Sequence, residues 1–468
     1  MHTHFDAQRR TTLANDRRFG QDNHHLLFEQ VDVVELSRHY PGPFFIYSAR
    51  EIQRNIEEIR SAFARHAATR ICYASKACSL LEILHVVRDT GASIEANSAN
   101  EIRRCRAAGF SGAEIVYNGV VKQPDELDYA IRQQLHSINV DSEYELDLIN
   151  QISQRLKIDT RICLRVEPNV KADTHEGLMT AFRAKSGVDL SDAHRLCGAA
   201  LKMPYVKLCG LHMHVGDQVP DAAPFREATR VLVNLARSIE QQFQFRFDMI
   251  NVGGGIPTPY RYATDMGDGG PANMQPRMGA ADFAAAVIDV VHEWRTDIEI
   301  CIEPGRKVVG SAALLVTHIV GKKHKTLLNE RGDTEGHVEW RMLDAGFNLV
   351  PDYKDWYYYV YNASRIDQPH QQAVKLGGPL CDGGDYFRVG PLGDQFLLPS
   401  ASDVDDVIVF LDVGAYQIES QTSYNGYART AVVLIDQAGK ARLIRRQETF
   451  DDMLLLERDL PASTMVHT

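Results

Sequence analysis

Short apolar runs recur eight times between residues 71 and 302, each followed by a stretch of helical character, and this alternation limits the fold more than anything else in the chain. The runs occupy 71–74, 92–96, 115–118, 137–140, 161–166, 208–215, 249–252 and 299–302. Strands covered on both faces read as continuous apolar runs, which is how parallel sheets look in sequence. Between them, Leu81, Ile83, Leu84, Val86 and Val87 lie within 80–88, and 101–108 and 126–133 alternate charged and apolar residues with helical period. Strand then helix, eight times over, predicts an α/β chain folded as a TIM-like (β/α)8 barrel. An open doubly wound sheet is disfavoured, because no G-x-G-x-x-G follows the first run.

Beyond residue 310 the texture changes. Strand-like runs at 313–319, 338–343, 396–398, 407–410 and 430–435 are separated by Gly, Pro and Asp clusters, which predicts an all-β C-terminal domain. At 468 residues the chain exceeds what one core usually organises. The expected division is 1–42 as an N-terminal segment packing on the β domain, 43–310 as the barrel and 311–468 as the β domain. Residues 43–47 are themselves strand-like and suit the β domain, and 51–67 read as a helix leading into the barrel. A long loop at 256–280, rich in glycine and proline, is of a length usually tied to function.

The net charge of −11, with no block of Lys and Arg, argues against a nucleic-acid surface. Eight cysteines without a C-x-x-C pair suggest neither a zinc knuckle nor a disulfide framework, and fit a reducing, cytoplasmic setting. The polar N-terminus, with Arg9, Arg10, Arg17 and Arg18, lacks the apolar segment of a secretory signal, and no run is long enough to span a membrane.

A barrel places its chemistry at the C-terminal ends of its strands. Polar residues fall there: Lys76 after the first run, Glu95 and Asn118 at the ends of the second and third, Glu167 after the fifth, His214 at the sixth, Gly253-Gly254-Gly255 after the seventh and Glu303-Pro304-Gly305-Arg306 after the eighth. An amine held near apolar walls at a strand mouth is suited to forming a Schiff base. Glycines after the seventh strand let backbone amides approach a phosphate, and Gly305 and Arg306 add an amide and a guanidinium for the same anion. His212 and His214, two apart, face one side of their strand. The H-x-H pair also suits a hydrolase metal site, but the order of residues is wrong for one, so no metal is expected.

These residues carry a resemblance. Tyr73-Ala74-Ser75-Lys76-Ala77, His212-Met213-His214-Val215-Gly216-Asp217-Gln218, Gly253-Gly254-Gly255-Ile256-Pro257, Glu303-Pro304-Gly305-Arg306, Gly378-Pro379-Leu380-Cys381-Asp382-Gly383-Gly384-Asp385 and Gly414-Ala415-Tyr416 resemble the ordered motifs of the fold-type III, pyridoxal-phosphate-dependent amino-acid decarboxylases. The match runs from about 43 to 429, and the wording around 118–122, 165–170, 212–220 and 380–386 is most similar to members acting on D-ornithine and D-lysine.

The resemblance implies pyridoxal 5'-phosphate as cofactor, bonded to Lys76. Glu95 would lie near Lys76, His214 would stack on the ring, and Glu303 would pair with the pyridine nitrogen. Gly253, Gly254, Gly255, Gly305 and Arg306 would hold the phosphate, which Tyr416 approaches. Cys381, as proton donor, with Asp382 and Asp385 toward the substrate, would enter from a second subunit of a homodimer with shared active sites. Tyr416 is also a substrate-contact candidate.

The implied reaction is decarboxylation of a small basic diamino acid, D-ornithine or D-lysine, to putrescine or cadaverine and CO2. Asp382 follows the motif cysteine where diaminopimelate decarboxylases carry glutamate, and the stretch after Asp344-Ala345-Gly346 lacks their arginine. Both favour a distal ammonium over a zwitterionic end. The alternatives are meso-diaminopimelate decarboxylation to L-lysine, a racemase, which would need a second base, and a non-catalytic cofactor carrier, which would consist of the barrel alone. Many members carry serine at the position of Asp217, where an aspartate beside a phosphate would be repulsive.

Overall fold

The computed structural model describes residues 13–174, 176–260 and 272–458. The middle of the long loop at 256–280 therefore lies outside the described residues. The chain divides into two compact units.

One unit comprises residues 49–312 together with 414–419. Its eight parallel strands are Thr69–Ala74, Ser93–Ala96, Ile115–Tyr117, Ser137–Val140, Thr160–Glu167, Val206–His212, Met249–Asn251 and Glu299–Ile302. They pair in chain order, and the eighth returns to the first with Ile302 opposite Ile71, closing the barrel. All eight runs expected from the sequence are these strands. The helices between them bury one apolar stripe each. Leu81–Asp89 buries Ile83, Leu84 and Val87, and Pro124–Arg132 buries Leu127, Ala130 and Ile131. A fully buried aliphatic side chain of this size contributes roughly 1.5–3 kcal/mol.

Local chemistry sets the helix starts. Ser98 and Ser142 accept the amides of Glu101 and Glu145, and Pro124 occupies a first-turn position where no amide is needed. Inside the barrel Cys72, Val116, Cys163, Cys209, Met249 and Cys301 form one packed layer. The thiols of Cys72 and Cys301 lie 3.4 Å apart and those of Cys163 and Cys209 3.7 Å apart, as small apolar residues do in a core. All eight cysteines are free thiols, and only Cys381 is exposed.

Among the described residues the other unit holds 13–48, 313–413 and 420–458. Its main sheet runs Phe396–Pro399, His370–Gly377, Thr334–Leu343, Ala313–Leu328, Phe44–Ser48, Ala431–Ile435, Ala441–Arg445, with Val407–Leu411 pairing Ala313–Leu328 and Val360–Asn362 pairing Val407–Leu411. Phe44–Ser48 is buried at every residue and flanked by strands on both sides. Its apolar Phe-Phe-Ile-Tyr run is that of a central strand, so the barrel unit begins at residue 49 instead of 43. The N-terminal strands Phe19–Asp22, His25–Phe28 and Val31–Asp32 form a small sheet of their own, tied to the same unit where the Ile366 amide donates to His24. Among the described residues no helix is long and apolar enough to cross a membrane.

Candidate active site

The C-terminal ends of the barrel strands converge on a small cavity of about 50 Å³. Of the expected residues, Lys76, His214, Gly254, Gly255, Glu303, Gly305, Arg306 and Tyr416 line it, joined by Asn97, Asn118, Arg165, His212 and Asp217. Lys76 sits in the one-turn helix Ser75–Ala77 that follows the first strand, exposed between two buried neighbours. The surroundings it shares with Asn97, Asn118 and Glu303 are polar, not the apolar walls expected at this strand mouth.

Glu303 is the electrostatic centre. Its carboxylate accepts from Asn251 Nδ2 at 2.7 Å and Asn118 Nδ2 at 2.8 Å, with Asn139 Nδ2 and His212 Nε2 each at 3.4 Å. Burial alone would raise its pKa, but His212, the Asn251 hydrogen bond and the charge of Lys76 outweigh it and hold Glu303 at about 2. Its neighbour behaves oppositely. Glu95, fully buried, is raised to about 7 by burial, with the charge of Glu303 adding to the effect and Lys76 opposing it. Asn118 Nδ2 donates to both carboxylates, 2.8 Å from each, and its own carbonyl accepts from Asn139 Nδ2 at 2.6 Å. Two acids a single amide apart are thus given different protonation preferences.

Beneath this network Lys122 is buried, and its ammonium donates to Gly119 O at 2.8 Å, Asn139 O at 2.9 Å and Glu145 at 2.6 Å. It ties the turn after Asn118 to the strand carrying Asn139.

His214 is kept neutral: burial, then the positive charges of Lys76 and Arg165, push its pKa down to about 3. The Gly254 amide donates to its Nδ1 at 3.2 Å, and Thr180 Oγ1 donates to its carbonyl at 2.9 Å. Gly253 has φ +69°, and a Cβ there would stand 2.7 Å from His214 Nδ1. The Gly253 amide is itself taken by Asn251 Oδ1 at 3.0 Å. Two of the three expected phosphate amides therefore have partners inside the protein, and Gly253 also leaves space beside the imidazole.

Arg306 is fully engaged. Its Nε and Nη2 donate to Asp217 Oδ2 at 2.8 and 2.7 Å, its Nη1 donates to Tyr260 at 3.1 Å, and its Cζ lies 4.7 Å from the Tyr416 ring centroid. Tyr416 reaches the barrel because Gly414–Glu419 returns to that unit. Its amide donates to Ala77 O at 2.7 Å, and its φ of +70° is unusual for an aromatic residue. Gln218 clamps the flanks of the long loop: its Nε2 donates to Thr258 O and Asn273 O, and its Oε1 accepts from Thr258 N at 3.0 Å.

Glu167 does not join the cavity; it accepts from the Ala184 amide, and Arg165 of the same strand lines the site instead. In the β unit Cys381 and Asp382 are exposed. The Cys381 amide donates to Asn425 Oδ1 at 2.7 Å, and Asp382 Oδ1 accepts from Gly384 N at 2.7 Å. Asp385 differs from its expected role toward a substrate. It is buried, accepts from the Phe347 and Leu380 amides at 2.9 and 2.7 Å, and packs so closely on Gly346 and Gly378 that a Cβ at either would collide with it. Its carboxylate organises its own loop.

Asn139, Asn251, Arg165, Asn97 and Tyr260 were not expected at the site. No residue was named from the sequence at the end of the fourth strand, and Asn139 fills this gap.

The donor set fits a pyridoxal phosphate: a lysine amine, an ionised buried glutamate, a neutral histidine, and a guanidinium beside glycines that leave room. Residues 49–310 match the model of the pyridoxal-dependent decarboxylases, pyridoxal binding domain. The diaminopimelate decarboxylase of Vibrio cholerae serotype O1 is 30% identical over 445 residues, covering 94% of this chain and 98% of that protein. That of Aquifex aeolicus is 29% identical over 429 residues, 91% of this chain and 94% of that one. The crystal structure of the diaminopimelate decarboxylase from M. jannaschii superposes with a TM-score of 0.82 at 26% identity, over 95% of this chain and 98% of that one.

Proposed function

Because the chain belongs to the pyridoxal-dependent decarboxylases, enzymes that use pyridoxal 5'-phosphate, we propose that it removes the α-carboxylate of a diamino acid bearing a distal amino group. The observation that carries this reading is Glu303, ionised at the base of the lysine-bearing cavity by His212 and two asparagine amides. Bound there, pyridoxal 5'-phosphate supplies the sink for the electron pair that departing CO2 leaves behind. Lys76 would hold the cofactor covalently, Arg306 would meet its phosphate, and His214 would flank its ring as a neutral imidazole. Glu303 would keep a proton on the pyridine nitrogen.

The β unit supports a second contribution. Cys381, exposed on a glycine-rich loop, would return a proton to the α-carbon, and Asp382 would face the distal amine. We read both as supplied to the site of a partner in a homodimer.

Two substrate classes remain in view. The names of the relatives support meso-diaminopimelate, yielding L-lysine, more than D-ornithine or D-lysine. The second reading, D-ornithine or D-lysine, rests on Asp382 and on the stretch 347–351, which carries no arginine for a distal carboxylate. Steady-state rates on meso-diaminopimelate and on both enantiomers of ornithine and lysine decide between them. A clear preference for either class removes the other, and absence of CO2 release from all of them removes the decarboxylase reading.

A further inference from the structure

The anion cradle already contains a carboxylate. Asp217 takes the Nε/Nη2 edge of Arg306 through Oδ2, while its Oδ1 accepts from the Gln218 amide at 2.9 Å. Its backbone is held on both sides: the Asp217 amide donates to Leu178 O at 3.0 Å, and Thr174 Oγ1 donates to Asp217 O at 2.9 Å. The Asp217 side chain retains 17% of its exposure and Arg306 only 4%, and both line the cavity. The forked edge of a guanidinium is the geometry a phosphate dianion also seeks. A phosphate arriving here meets a negative charge a few ångströms away in a site of low polarisability.

We propose that Asp217 is an internal competitor for Arg306: it neutralises the buried guanidinium when the cradle holds no phosphate, and opposes any phosphate-bearing ligand that enters. This rests on the cofactor reading above and goes beyond it, because it assigns Asp217 the setting of how firmly this chain retains its cofactor. The two halves pull in opposite directions. Removing one partner of a buried ion pair leaves the other uncompensated and destabilises the empty protein. The same change removes repulsion from the phosphate and tightens binding. A residue that merely positions Arg306 would weaken both.

The test is titration of the full-length apoprotein, as wild type, Asp217→Asn and Asp217→Ser, with pyridoxal 5'-phosphate and with pyridoxal, which lacks the phosphate. Binding is read by visible absorbance and thermal midpoints by calorimetry. Both variants are expected to melt lower when empty and to bind pyridoxal 5'-phosphate about tenfold more tightly, which corresponds to roughly 1.4 kcal/mol. Binding of pyridoxal should not change. Inorganic phosphate should raise the midpoint of Asp217→Asn more than that of the wild type, a measurement that stands even if the serine variant fails to fold. Unchanged or weaker binding of pyridoxal 5'-phosphate by the variants, or equal tightening toward pyridoxal, overturns the proposal while leaving the cofactor reading intact. A wild-type chain that takes up no pyridoxal 5'-phosphate overturns both.

Discussion

Single side chains at the site work through their neighbours' charges. Replacing Glu303 by Gln removes the anion but keeps the shape, so kcat/KM should fall by about 10²–10³-fold, the scale for losing one preorganised electrostatic group, while visible absorbance of the bound cofactor persists. Lys76→Ala should abolish both the absorbance and turnover. The two buried acids also leave opposite marks on stability against pH. Burial pushes Glu95 up to about 7 in the folded state from the ordinary 4.5 of a glutamate, so the folded state binds the extra proton. Its contribution is full below 4.5 and is lost as pH rises through 7. Glu303, held near 2, contributes above 4.5 and loses that contribution as pH falls toward 2. Glu95→Gln should therefore raise the apoprotein's melting midpoint relative to wild type at pH 8 and change it little at pH 4.5, a comparison that scanning calorimetry makes directly. Lys76, Glu95, His214 and Glu303 were readable from strand-end position. Asn251 was not, because a mid-run amide looks like any other polar residue until its acceptor, fifty-two positions away, is known. The partner of Asp217 was hidden for the same reason, eighty-nine residues along the chain.

Elements were most legible where burial on both faces made strands continuously apolar, which is why every barrel strand appeared in the sequence. Val360–Asn362, His370–Gly377 and Ala441–Arg445 were missed: the first is only three residues long, and the other two carry exposed or half-buried polar positions and have no unbroken apolar run. Helix boundaries followed caps. The Lys122–Glu145 pair shows what an element needs that patterning does not reveal, since it pins the end of the third strand to the fourth from a wholly buried position. Lys122→Ala should destabilise the barrel by about 3–5 kcal/mol, the cost of breaking a buried pair, and lower turnover through displaced Asn118. Guanidinium unfolding with parallel rate measurements checks both. Gln218→Ala should free the flanks of the 256–280 loop and raise proteolytic cleavage there, because Thr258 and Asn273 lose their buried partner.

At the scale of the molecule the proposed sharing of sites between subunits makes a quantitative demand. Lys76→Ala and Cys381→Ala chains, each inactive alone, should recover about a quarter of wild-type activity when mixed and allowed to exchange, because half of the dimers pair unlike chains and each then has one intact site. Recovery of none would place Cys381 and Lys76 in the same chain's site, and a Cys381→Ala chain active by itself would place Cys381 outside the chemistry. The two-unit plan was legible in the change of texture after residue 310, whereas the return of 414–419 to the barrel shows in no periodicity of its six residues and was readable only through the Gly414-Ala415-Tyr416 motif. That return has a practical consequence for protein engineering. The barrel is not a contiguous gene fragment: a chimaera that joins it to a foreign β module at residue 312 would discard Tyr416, so any crossover must re-import Gly414–Glu419 from the barrel's own parent.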